Sequence, residues 1–97
     1  MSTDPQRTFE LDVAWKVSDQ VSVRPERFGA LLYHFGTRRL SFLKSPMLFQ
    51  VVRTLAESVS ARQACTLAGV TEAELSTYRN ALAGLAATDM IRKRDAP

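Results

Sequence analysis

The sequence predicts a small α+β domain, a three-stranded antiparallel sheet followed by a three-helix bundle, and three observations carry that prediction. Residues 28–44 read as a β-hairpin, Ser45-Pro46 ends its second strand and opens a helix, and the remainder up to Met90 keeps helical spacing with two further capping signals. A chain of 97 residues with 45% hydrophobic content has room for one modest core.

Taken in order, Met1 to Thr8 is polar, holds Pro5 and shows no periodicity, so it is expected to be disordered. Phe9 to Val17 reads as a peripheral strand or extended arm pinned by Trp15, the single tryptophan. Val21 to Arg24 alternates cleanly before Pro25 and gives the first strand of the sheet. The hairpin follows. Phe28 to Phe35 and Arg38 to Lys44 favour strand, and Gly36-Thr37 suits a two-residue type II′ loop. That loop pairs Phe35 with Arg38, Tyr33 with Leu40 and Leu31 with Phe42. The reading takes the large side chains Leu31, Tyr33, Phe35, Leu40 and Phe42 as the core face, and leaves Ala30, Leu32, His34, Arg39, Ser41 and Leu43 on the partly covered one. It also aims the N–H and C=O groups of Arg39, Ser41 and Leu43 at the free edge of the sheet.

Ser45 is placed as an N-cap with Pro46 at the first helical position, ahead of the apolar stripe Met47, Leu48, Val51, Val52 and Leu55. Ser60 and Gln63 predict a capping box for a short second helix that stops at Gly69. Thr71, with Glu74 as reciprocal partner and Val70 and Leu75 as a hydrophobic staple, predicts a third helix running to Met90. Its stripe is Leu75, Tyr78, Leu82, Leu85 and Ala86, and Ala83, Gly84 and Ala87 keep a neighbouring stripe thin. Ile91 closes the pattern, which bounds the domain at residues 9–91 and leaves 92–97, with Arg92, Lys93 and Arg94, as a solvated tail.

Charge and chemistry narrow the function. The net charge is +3, and the excess lies in the hairpin region, where Arg24, Arg27, Arg38, Arg39 and Lys44 face one acid, Glu26. A single cysteine and a single histidine cannot build a tetrahedral zinc site or an internal disulfide, so no metal or cofactor is expected. With no signal peptide and no apolar run of spanning length, the reading is a cytoplasmic protein. Cys65, in an alanine-rich helical run, reads as a small core residue. His34 lacks any catalytic company, and the chain reads as a non-enzyme with no catalytic residue.

Two binding readings remain. A helix, tight turn and longer helix at 61–90 have the outline of a DNA-binding winged helix, but the third helix is net acidic, with Glu72, Glu74 and Asp89 against Arg79, which argues against nucleic acid. The other is a peptide binder that uses an open strand edge. Here FGALLYHFGTRRLSFLKSP, with VSVRPE before it and ALAGLAATDMI near the end, resembles the peptide chaperones of mycofactocin biosynthesis, PqqD-like recognition elements for ribosomally made precursor peptides. The resemblance implies a winged-helix-like β3α3 domain without catalysis. It also implies a leader peptide added as a strand in a groove between the third strand and third helix, and presentation to a radical S-adenosylmethionine enzyme that decarboxylates and crosslinks the peptide. Carried over, the strand wall is Arg39, Leu40, Ser41, Phe42, Leu43 and Lys44, and the helix wall is Tyr78, Arg79, Leu82 and Leu85. Arg38, Arg39, Lys44 and Arg79 would steer an acidic precursor. No membrane or nucleic-acid partner is implied.

Overall fold

In a computed structural model, which describes residues 9–94, the chain forms five strands and three helices. The terminal segments 1–8 and 95–97, read above as disordered and as tail, lie outside the described residues. The strands are β1 (Trp15–Val17), β2 (Val21–Glu26), β3 (Gly29–His34), β4 (Leu40–Leu43) and β5 (Ile91–Lys93), and the helices are α1 (Pro46–Thr54), α2 (Ala61–Ala68) and α3 (Leu75–Ala87). A 3₁₀ turn, Leu55–Glu57, follows α1. β2, β3 and β4 form the expected antiparallel meander, and β1 pairs with β5 in a separate ribbon.

The helix signals act locally. Ser45 accepts from the Leu48 N–H at 3.1 Å with Pro46 in the first position, so α1 starts with one orphan donor satisfied and another removed. Ser60 accepts from Gln63 N–H, and Gln63 reaches back to the N–H of Val59. Gly69 ends α2 at φ 96°, its N–H closing onto Cys65 and Thr66 carbonyls. Thr71 and Glu74 exchange hydrogen bonds as predicted, but they close a tight turn, and the regular helix α3 begins only at Leu75. Residues 11–13 lie across the start of α2, the carbonyls of Val13 and Leu11 accepting from Ala61 and Arg62 N–H. Trp15 pins this arm by stacking on Phe9 at 4.5 Å and donating to the Glu10 carbonyl.

The C-terminal expectation needs correcting. Residues 91–93 are a strand, not the end of a helix and the start of a tail, because Asp89 takes a left-handed turn (φ 62°) and sends the chain back along Trp15–Val17. Arg94 then caps the 3₁₀ turn by donating to the carbonyls of Ala56 and Ser58.

The larger correction concerns the sheet's two faces. Ala30, Leu32, His34 and Leu43 are buried beside Val51, Val52 and Leu55, whereas Phe35, Leu40 and Phe42 are more than half exposed and Leu31 and Tyr33 only half-buried. The face expected to be core is the outer one. Small Ala30 and the branched aliphatics let α1 lie close to the sheet, which the aromatic face could not allow. On α3, Leu82, Ala83 and Leu85 point inward, and the thin stripe at Gly84 and Ala87 stays open to solvent.

Candidate functional site

The site is built by the β3–β4 hairpin, whose register is the predicted one: Tyr33 pairs with Leu40 and Leu31 with Phe42. Its loop is different. Both the Arg38 N–H and the Arg39 carbonyl bond to His34, and Arg38 adopts φ 62°. This is a three-residue loop closed by a bulge at Arg38. Gly36 does not carry the positive φ of a type II′ turn. It is needed for another reason, since a Cβ there would lie 2.9 Å from the His34 ring.

His34 organises that loop. It is 3% exposed, its Nδ1 accepts the N–H groups of Gly36 and Thr37 at 3.0 Å each, and its Nε2 lies 2.8 Å from Asp89 Oδ2. With Nδ1 accepting twice, the pattern assigns the proton to Nε2, which donates to Asp89. Asp89 also holds Arg92 through both carboxylate oxygens at 2.9 Å. Sequence patterning missed this tie because its members stand 55 residues apart.

Arg92 first, and the His34 hydrogen bond second, hold the Asp89 carboxyl down at about 2 against an ordinary 3.8. A depressed folded value stabilises the protein above the unfolded value, and the contribution is lost as pH falls through the folded one. The stability advantage of the native protein over Asp89→Asn should therefore be complete above pH ~4 and gone near pH ~2. Thermal unfolding across that range checks this, and an advantage independent of pH would refute it.

The bulge sets which backbone groups face out. Since His34 bonds to β4 and Phe35 N–H bonds to Gln20 on the β2 side, alternation makes Leu32–Ser41 and Ala30–Leu43 the hydrogen-bonded pairs. The N–H and C=O groups of Leu40 and Phe42, not those of Arg39, Ser41 and Leu43, thus face the free edge. The same alternation turns position 25 of β2 outward, and Pro25 there has no N–H to offer. Of the two sheet edges, β2 is blunted and β4 is open.

Two residues beyond β4, Ser45 begins an apolar groove of 160 Å³ completed by Leu48, Thr77, Tyr78 and Ala81. Of the residues carried over from the resemblance, Leu40 and Phe42 are exposed on the edge strand, with Arg38, Arg39 and Lys44 exposed around it, and Tyr78 lines the groove. Leu43, Leu82 and Leu85 are committed to the core. Arg79 is not in this groove; it follows Tyr78 in the chain, projects from a different side of the helix and lines depressions with Leu11 and Arg62. Thr77, Ala81 and Leu48 were missed; the signal for the first two was the polar-to-small flank of the Tyr78 stripe, whereas Leu48 was read only as part of the apolar stripe of α1.

The sequence matches the description "Peptide chaperone MftB family" over residues 14–92. The chain belongs to that family. It is 50% identical over 88 residues to the peptide chaperone MftB of Mycobacterium ulcerans (strain Agy99), covering 91% of this chain and 81% of the relative. It is also 50% identical over 86 residues to that of Mycolicibacterium smegmatis (strain ATCC 700084 / mc(2)155), covering 89% and 84%. The Mycobacterium tuberculosis (strain ATCC 25618 / H37Rv) chaperone is again 50% identical over 86 residues, covering 89% and 79%. No solved structure matches the chain. A peptide chaperone is a non-catalytic role, and the match takes in the hairpin, the groove and β5 almost whole. Among the described residues, no helix is long and apolar enough to cross a membrane, and no three His, Cys, Asp or Glu side chains gather to hold a metal. Cys65 is buried, and burial pushes its thiol pKa up.

Proposed function

We propose that this protein binds the leader of an acidic precursor peptide by strand addition along β4. It then presents that peptide to a radical S-adenosylmethionine enzyme in the cytoplasmic biosynthesis of mycofactocin. The observation that carries the reading is the asymmetry of the sheet: one edge is interrupted by Pro25, and the other offers the amides of Leu40 and Phe42 beside an apolar groove. Main-chain bonds to that edge supply affinity, and the groove at Tyr78, Leu48 and Ala81 selects side chains. Arg38, Arg39 and Lys44 are exposed around the strand and would speed the approach of an acidic peptide. A duplex-binding role is disfavoured by the exposed Glu72 and Glu74 in the turn that leads into α3.

Proline substitution tests the reading by calorimetry with a synthetic leader peptide. Phe42→Pro deletes an outward N–H and obstructs an incoming strand without breaking a ladder bond, and Phe42→Ala controls for the lost ring. Relative to Phe42→Ala, Phe42→Pro should stay folded and lose more than about tenfold in affinity. Ser41→Pro, which removes a bond to Leu32, should instead destabilise the sheet. Equal peptide affinity in Phe42→Pro and Phe42→Ala would overturn docking on this edge.

A further inference from the structure

Strand addition leaves most of the exposed apolar face of the sheet uncovered. Phe28, Leu31, Tyr33, Phe35, Leu40 and Phe42 share the outer face of the sheet. The cross-strand pairs Tyr33–Leu40 and Leu31–Phe42 form its centre, Phe35 sits edge-on to Tyr33 at 5.3 Å, and Phe28 tilts over Phe42 at 6.1 Å. Phe35 is 59% exposed and Leu40 and Phe42 are each 55% exposed. A contiguous patch of this kind on a small domain marks an interaction surface. Its surroundings are cationic: Arg24 lies on the same face opposite Leu31, with Arg27, Arg38, Arg39 and Lys44 exposed at the turns and strand end. The one acid of the hairpin region, Glu26, is already paired with Arg24 at 3.1 Å.

We infer that this outer face docks a folded protein whose contact surface has an apolar centre and a carboxylate rim, and that the enzyme acting on the carried peptide seats there. The inference rests on the presentation reading above and adds to it the surface used. Three considerations select the occupant. An added peptide strand would lie ~5 Å beyond β4, so it can cover Leu40 and Phe42 but not Tyr33, Phe35 or Leu31, which lie on or beyond the next strand. A second copy meeting this face about a two-fold axis would set the same five cations against each other. Four of those five are arginines, whose planar forks match carboxylates two bonds at a time and which are enriched at protein interfaces around aromatic anchors. The division of labour is therefore spatial: the peptide takes the edge and the groove, and the enzyme takes the face.

The test uses the full chain, its synthetic leader peptide and the purified radical S-adenosylmethionine enzyme of its pathway as probes. Phe35→Glu and Arg24→Glu change exposed positions off the β4 edge. Each should weaken enzyme binding at least ~10-fold while leader affinity moves less than ~2-fold. If the native protein binds the enzyme and both variants bind it equally well, the face is wrong and the presentation reading stands. If the native protein binds leader but no enzyme, the presentation reading falls and this inference with it. Two further results would assign the face to another occupant and overturn the inference. One is capture of the native protein by phosphatidylcholine–phosphatidylglycerol vesicles that the variants lose while enzyme binding is unchanged. The other is a dimer in sedimentation that the same variants dissolve.

Discussion

Gly29→Ala is expected to leave little folded protein at 37 °C. Gly29 opens β3 at φ 147°, and a Cβ added there would sit 2.0 Å from the Leu43 carbonyl oxygen and 3.0 Å from that of Ser45. Neither neighbour is a flexible side-chain tip; both are backbone, one in β4 and the other at the cap of α1. An alanine would therefore combine overpacking, about 1–3 kcal/mol, with backbone strain of about 1–3 kcal/mol. Together these approach the ~5–15 kcal/mol that holds a domain of this size. Gly69→Ala is the internal comparison, because Gly69 also has positive φ, 96°, but nothing lies within 4 Å of its missing Cβ. It should cost only about 1 kcal/mol. Urea denaturation of both variants separates the two terms, and equal midpoints would show that the approach of β4 to Gly29 carries no weight.

His34→Ala should cost about 3 kcal/mol, which for a chain this short is a fall of ~10–20 °C in Tm. The side chain fills a buried position and holds three partners: the amides of Gly36 and Thr37 on Nδ1 and the Asp89 carboxylate at Nε2. Alanine leaves a void and removes the acceptor that folds the loop. His34→Asn places an acceptor near the Nδ1 position, and His34→Gln places a donor near Nε2. Each should recover part of the loss, asparagine restoring the loop and glutamine the tie to Asp89. A His34→Ala protein as stable as the native one would mean that the Arg38 bulge closes the hairpin unaided. Because the bulge fixes which amides of β4 face outward, the same variant should also weaken leader binding.

The turn shows how a register can be legible while its consequence is not. Pairing Tyr33 with Leu40 follows from centring the hairpin on residues 36 and 37, and that centre is correct. The hydrogen-bonding phase depends on the conformation of Arg38 and on the ring of His34 beneath the loop, and reading Gly36 as a type II′ residue reversed it. The outer face reversed for a different reason. Choosing the larger side chains as core ignores how closely α1 must approach the sheet, and small Ala30 with branched Leu32 and Leu43 allows that approach while the more aromatic face is left exposed. The candidate site was legible as a segment, β4 with α3, because a long characteristic string spans the hairpin. Individual contacts were not, since Leu43, Leu82, Leu85 and Arg79 share the segment but face elsewhere.

By itself the sequence determined what is local: the caps at Ser45 and Ser60, the hydrogen-bond exchange between Thr71 and Glu74, the left-handed stop at Gly69, the order of three strands and three helices, the pairing register and the family. Each depends on interactions within a few residues or on a continuous string. The tertiary structure decided which face of the sheet the helices cover, the outward phase of β4, the tie from His34 to Asp89, and the return of residues 91–93 to Trp15–Val17. These depend on contacts between residues far apart in the chain, and their free energy appears only when the elements pack. No periodicity along the chain encodes that packing.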